Sequence, residues 1–128
     1  VGAVGVFVGC EYVNAQGQVI NAQYYPSGTT GVVTAKIITD PSVAFQAQLD
    51  GSGAQTVLGA NTFFAAVQST STGNTSTGNS TSALDATVKA AAAAFRVVGF
   101  ASEAGDAFTD VLVKFNPSAH SYLNNVGL

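Results

Sequence analysis

The chain has 128 residues, of which 47% are hydrophobic and only 9% are charged, and its formal net charge at pH 7 is −3. This length fits one domain, residues 1–128, with a core of its own. One Cys and one His exclude an internal disulfide and a Cys/His zinc site, so we expect no cofactor or metal. The four basic residues are scattered and no apolar run reaches about 18 residues, so neither direct nucleic-acid binding nor a transmembrane helix is expected.

Three strands are predicted in the first part of the chain. Residues 4–13 (VGVFVGCEYV) are rich in β-branched and aromatic side chains, which favour strands. The turn residues 14–17 predict a hairpin whose second arm covers residues 18–25. Residues 32–39 (VVTAKIIT) predict a third strand, which ends at Asp40–Pro41 because proline cannot pair in a ladder.

The middle of the chain combines one alternating segment with segments of mixed pattern. Residues 43–49 alternate apolar and polar, as expected for a strand with one wet face. Residues 61–67 fit a helical turn, and the Ser/Thr/Asn-rich residues 69–82 predict an exposed loop. For residues 84–94 the alanines favour a helix by propensity, but the strand that follows favours a strand, which is the prediction we adopt.

Two more strands are predicted near the end of the chain. Residues 95–101 and 108–116 flank a hairpin turn at residues 102–106. The second strand alternates Val111, Val113 and Phe115 with the second set Asp110, Leu112, Lys114 and Asn116. Six or so short strands without a βαβ rhythm predict a mainly β, single-domain antiparallel barrel or sandwich with little helix.

Residues capable of catalysis are few. His120 lies near Ser118 and Ser121, but the sequence has no nucleophile elbow, so we predict a surface or interface histidine and no enzymatic activity. Glu11 is expected on the wet face of its strand, and Cys10 is expected to be a small buried hydrophobe.

The low ratio of charge to apolar surface predicts that partner subunits cover part of the protein. The predicted sheet edges available for strand addition are Val4–Val8 and Val111–Phe115. Arg96 fits either an interface anchor or a solvated strand residue. The candidate interface residues are Val4, Val6, Val8, Arg96, Val111, Val113, Phe115 and His120.

Several segments, taken in order, carry a resemblance to a known family. They are GVFVGCEY (5–12), YYPSGT (24–29), DPSVAFQAQ (40–48), SALD (82–85), FRVVGF (95–100), VLVKFN (111–116) and His120. In this order and spacing the chain resembles the head decoration, or cement, proteins of tailed bacteriophages over residues 4–122. In that family a further N-terminal stretch precedes the first strand, so an N-terminal arm is expected upstream of Val1.

The resemblance implies a non-catalytic virion protein on the capsid surface that bridges subunits of the major capsid protein and self-associates. The alternative is a carbohydrate- or host-binding β-module of a phage fibre or spike. In that module Tyr12, Tyr24, Tyr25 and the Asn/Thr-rich loop would form a sugar-binding platform.

Overall fold

The computed structural model describes residues 3–26, 28, 30–65, 73–74, 76–88 and 91–123, and the regular structure within these ranges is almost entirely β. The strands are β1 (Val6–Val13), β2 (Val19–Ala22), β3 (Val33–Ile38), β4 (Phe45–Gln48), β5 (Asn61–Thr62), β6 (Phe95–Phe100) and β7 (Asp110–Phe115). Short 3₁₀ turns occur at Gln55–Val57 and Pro117–Ala119. The predicted mainly β class is confirmed, as two antiparallel sheets. Among the described residues no helix is both long enough and apolar enough to cross a membrane.

The first sheet has the strand order β2-β1-β3 and begins with the predicted hairpin. Its turn forms because Asn14 Oδ1 accepts hydrogen bonds from the backbone N–H groups of Gln16 (3.0 Å) and Gln18 (2.9 Å). Gly17 has a φ of 80°, a left-handed conformation that glycine adopts without a Cβ clash. The hairpin is therefore determined locally by its turn residues.

The second sheet has the order β4-β7-β6-β5, and one of its faces builds the hydrophobic core. Alternation along β7 places Val111 and Val113 completely inside, while Asp110 and Leu112 remain partly exposed. The core cluster consists of Leu49, Val57, Leu84, Phe95, Val97, Val111 and Val113. The core thus belongs to the second sheet and the segments that pack on it.

Leu84 connects the two edges of this four-stranded sheet. Its backbone N–H donates to the carbonyl of Gln48 (2.9 Å), and its carbonyl accepts from the N–H of Asp50 (2.8 Å), at the end of β4. An antiparallel bridge also joins Leu84 to Phe64, just beyond β5. The sheet therefore curls toward a barrel, but single-residue bridges span the gap and the barrel is not closed.

Two local predictions are wrong. In the described part of residues 84–94, Leu84 makes isolated bridges, the remaining residues form bends or irregular backbone, and strand structure begins only at Phe95. In residues 61–67 the structure places strand β5 and irregular backbone where a helical turn was expected, and residues 66–67 lie outside the described ranges. Of the predicted loop 69–82, residues 69–72 and 75 also lie outside them, and the described remainder is mostly exposed.

Two buried asparagines account for the irregular backbone of the described alanines, residues 91–94. Asn61 Nδ2 donates to the carbonyl of Ala91 (3.0 Å), and Asn116 Nδ2 donates to the carbonyl of Ala93 (2.7 Å). Asn61 Oδ1 in turn accepts from Asn116 Nδ2 (3.0 Å) and from Arg96 Nε (3.2 Å). These side chains donate hydrogen bonds to backbone carbonyls that would otherwise accept from the backbone N–H groups of a helix or a neighbouring strand.

Replacing Asn61 by alanine is expected to lower the free energy of unfolding by about 3 kcal/mol, because three hydrogen bonds at about 1 kcal/mol each are lost from a buried site. Urea denaturation measures the change. The matched control is Asn21→Ala, since Asn21 is exposed and a change within about 0.5 kcal/mol is expected there. Equal effects of the two substitutions would contradict a structural role for the Asn61 network.

Candidate interaction surfaces

The three-stranded sheet has no residue in the core cluster of the second sheet, and Cys10 is its one buried hydrophobic side chain in the described residues. Six of its large apolar side chains are 40–62% exposed, namely Phe7, Val8, Val13, Val19, Ile37 and Ile38. Large apolar groups concentrated on one exposed sheet are typical of a surface that binds a partner.

The pairing register assigns the side chains of this sheet to two faces, because residues directly opposite each other in an antiparallel pair share a face. One face, here named the apolar face, carries Phe7, Cys10, Tyr12, Ile20, Ala22, Val33, Ala35 and Ile37. The other, the mixed face, carries Val6, Glu11, Val13, Val19, Asn21, Thr34, Lys36 and Ile38. On the mixed face Lys36 Nζ donates to Asn21 Oδ1 (3.1 Å), and Glu11 is exposed as predicted.

A β-bulge determines which β1 residues share a face. The register against β3 shifts between Phe7 and Gly9, so that Val8 is the extra residue. Phe7 and Cys10 therefore lie on one face although they are three positions apart. Simple alternation along the sequence would place them on opposite faces.

The apolar face is covered at one end and open at the other. Cys10 is buried as predicted, and its Sγ donates to the carbonyl of Tyr24 (3.5 Å). The ring of Tyr25 meets the ring of Tyr12 edge-on, with the centroids 5.4 Å apart. At the other end Phe7 and Ile37, opposite each other in the register, remain nearly half exposed.

The two segments predicted as sheet edges are central strands instead. Residues 6–8 of the predicted edge Val4–Val8 belong to β1, which pairs with both β2 and β3, and Val111–Phe115 belongs to β7, which pairs with both β4 and β6. The actual edges of the described sheets are β2, β3, β4 and β5. The prediction failed because edge or centre position depends on which distant strands pair with a segment, and apolar composition alone does not determine that pairing.

The predicted interface residues of β7 and β6 have different environments. Val111 and Val113 are completely buried in the core, so they offer no surface to a partner. Phe115 is partly buried, and its ring packs 5.3 Å from that of Phe45. Arg96 is exposed on β6, where its guanidinium binds Asn61.

His120 is completely buried, which contradicts a surface position. The backbone of Ala3 pairs beside it, donating to the carbonyl of Ala119 (2.7 Å) and accepting from the N–H of Ser121 (2.9 Å). The Nδ1 atom of His120 accepts from the N–H of Tyr122 (3.2 Å), whereas His120 Nε2 and Ser121 Oγ are buried without a hydrogen-bond partner.

The remaining predicted interface residues, Val4, Val6 and Val8, lie at the start of the first sheet. Val4 and Val8 are exposed, whereas Val6 is partly buried. Val6 and Val8 line a groove of about 150 Å³ that the second sheet closes with Phe45 and Phe115. The groove is mostly apolar and too small for more than a side chain of a partner.

Asp40 lies at the rim of this groove. The hydroxyl and the backbone N–H of Ser42 donate to Asp40 Oδ1 at 2.6 Å and 2.9 Å and lower the pKa of this carboxyl below its ordinary value. These bonds fix the turn after β3, where Asp40 precedes Pro41, so that the charge has a structural role.

A second, shallow groove of about 670 Å³ lies at the hairpin end of the first sheet. Its lining includes Tyr12, Asn14, Thr30 and the highly exposed Val32. Aromatic, amide and hydroxyl groups in one groove are of the kind that contact sugars, but Tyr12 and Tyr25 stand nearly perpendicular to each other and form no flat platform.

Within the described ranges no three His, Cys, Asp or Glu side chains are grouped closely enough to hold a metal ion. Comparisons with protein-family models, with curated proteins and with solved structures found no match for this chain.

Proposed function

We propose that this chain is a virion structural protein that binds the outside of a phage head and stabilises the lattice of the major capsid protein. The observation that carries the proposal is the open end of the apolar face, where Phe7 and Ile37 lie nearly half exposed on a sheet that has no residue in the core cluster. The assignment to a phage head comes from the resemblance of residues 4–122 to head decoration proteins.

The shape of the surface favours a broad protein partner over a small ligand. The apolar face extends over three strands and carries no charged residue, whereas ligand sites are usually concave and enclosed. Neighbouring strands lie about 4.8 Å apart, so a face of three strands is a broad, open surface that another protein surface can contact. A folded protein lattice is a partner that can match this face.

The proposed role needs no catalysis. A decoration protein stabilises a shell because many copies each add a modest contact, and the contacts act together over the lattice. In this proposal the capsid surface is the location, the major capsid protein is the partner, and the apolar face provides the contact.

The substitution Phe7→Lys tests the proposal. Heads assembled without this chain are incubated with the purified wild-type protein or with the variant, and occupancy is measured by cosedimentation and by cryo-EM of the particles. A buried lysine at the centre of the contact is expected to weaken binding about tenfold to thirtyfold. Circular dichroism checks that the variant is folded.

Phe108→Lys is the matched control, because Phe108 is 60% exposed and lies between β6 and β7, away from the apolar face. We expect it to bind like the wild type. Absence of density for the wild-type chain on the shell, or equal loss in both variants, would contradict the proposal.

The hairpin groove supports a second candidate function, a carbohydrate- or host-binding module. If that function is correct, the chain is located on fibres or spikes, and Tyr12→Ala abolishes binding to a glycan array without changing head occupancy. The perpendicular Tyr12 and Tyr25 rings make this candidate the weaker of the two.

A further inference from the structure

We propose that two copies of this chain pair through the outer edge of β3 and so form one continuous six-stranded sheet. The occupant of this edge is thus a second copy of the chain, related by a two-fold axis. The inference does not rest on the proposed function, because it concerns the free protein in solution.

The β3 edge differs from the other three edges of the described sheets. β4 and β5 have four and two residues, and Leu84 bridges the gap between the ends of that sheet. β2 also has only four residues. β3 has six residues, and five of them are exposed.

Natural edge strands usually carry features that oppose pairing, such as prolines, bulges or charged side chains, lysine in particular. β3 has the sequence VTAKII, with no proline and Lys36 as its only charge. The bulge in this sheet lies in β1 at Val8, so β3 itself remains regular. A long, regular and nearly uncharged edge is suited to strand addition.

The faces of the sheet restrict the register of such a pair. An antiparallel partner must place apolar residues beside apolar residues, which requires a β3 residue, and not a peptide bond, on the two-fold axis. An axis at Ala35 or at Lys36 pairs five positions of each strand. An axis at Lys36 sets two lysines directly opposite, which is repulsive, so the axis at Ala35 is favoured.

With Ala35 on the axis, Val33 of each copy lies opposite Ile37 of the other. Val33 neighbours Tyr12 and Ile37 neighbours Phe7 within each chain. The exposed end of the apolar face in one copy, at Phe7 and Ile37, is therefore adjacent to the covered end of the other copy, at Tyr12 and Val33. Pairing therefore joins two apolar faces into a single stripe.

The mixed face gains complementary charges in the same register. Thr34 lies opposite Lys36 of the second copy, and within its own chain Thr34 lies opposite Glu11. The lysine is then two strands from Glu11, about 10 Å between backbones. Lys36 already spans two strands within one chain, where it binds Asn21 on β2, so its side chain is long enough to approach Glu11 of the second copy.

Sedimentation equilibrium of the wild-type protein from micromolar to millimolar concentration tests the pairing, and we expect a concentration-dependent rise toward the mass of a dimer. Thr34→Lys places like charges opposite each other twice per dimer and is expected to raise the dissociation constant about tenfold. The monomer should stay folded, because Glu11 lies opposite the new lysine within the chain.

A charge exchange tests the register itself. Adding Lys36→Glu to Thr34→Lys places opposite charges at the two positions that face each other across the axis, and we expect dimerisation to recover to within about threefold of the wild type. A wild-type protein that is monomeric at all concentrations, or a double variant no better than Thr34→Lys, would overturn the inference. So would Thr34→Lys weakening head binding without changing the free-protein mass, since β3 would then bind the capsid protein.

These outcomes separate the two proposals. The effect of Phe7→Lys is measured as occupancy on heads, and the effect of Thr34→Lys is measured as the mass of the free protein in solution. Loss of self-association leaves the head-binding proposal standing, and failure to bind heads leaves the β3 pair standing.

Discussion

Replacing Phe95 by alanine is expected to lower the free energy of unfolding by about 3–5 kcal/mol. Phe95 is only 3% exposed and begins β6 at the centre of an aromatic group. Its ring lies 5.2–5.8 Å from those of Phe45, Phe64 and Phe115. Truncation therefore removes one large side chain and leaves three rings facing a cavity.

The control for this prediction is Phe108→Ala, which removes the same atoms from a side chain that is 60% exposed. Its expected change is within about 0.5 kcal/mol. Chemical denaturation with circular dichroism measures both variants. Comparable losses at positions 95 and 108 would contradict the assignment of the core to the second sheet.

Leu84→Ala is expected to cost about 2–5 kcal/mol, although the residue lies in no strand. Its side chain is 2% exposed within the core cluster, and its backbone bridges the two ends of the four-stranded sheet. The alanine backbone can keep the bridges, so the loss reports the side chain. The shift in denaturation midpoint at constant slope measures it.

Leu58→Ala is the matched control, since Leu58 follows the 3₁₀ turn and is 47% exposed. We expect little change there. If Leu84→Ala were as mild as Leu58→Ala, the segment around Leu84 would not close the core. The two substitutions remove the same atoms from different environments, which makes the comparison direct.

The strands themselves could be predicted from the sequence because their patterns are local. Alternation around Val111 and Val113 correctly placed both side chains on one face, and Asn14 to Gly17 correctly marked the hairpin turn. The positions of strands within the sheets could not be predicted in the same way. Whether β1 or β3 is an edge strand depends on its pairing with distant residues, and a local sequence pattern does not determine that pairing.

The alanine-rich segment shows how tertiary contacts override propensity. Its composition allowed two interpretations, helix or strand, and neither considered a non-local hydrogen-bond partner. The side chains of Asn61 and Asn116 bind its carbonyls from 30 and 23 positions away. The one available signal was a pair of asparagines next to strongly apolar strands, where an amide must find a partner.

Part of the apolar face could be predicted from the sequence. The alternation of Val33, Ala35 and Ile37 marks one face of β3 without knowledge of the fold. On β1 the bulge at Val8 reverses the alternation. Simple alternation therefore predicted Val6 and Val8 as interface residues and left out Phe7. His120 was misplaced because the pairing of its backbone with Ala3 joins opposite ends of the described chain.

The separation of the two sheets along the chain has a consequence for the order of folding. The first sheet uses residues 6–38 only, and its most distant pair joins Val6 to Ile38. The second sheet requires Phe45 to find Val113, a pairing of high contact order that forms slowly. During synthesis the first sheet can therefore form while the strands of the core are still being made, and its apolar face is exposed throughout that interval.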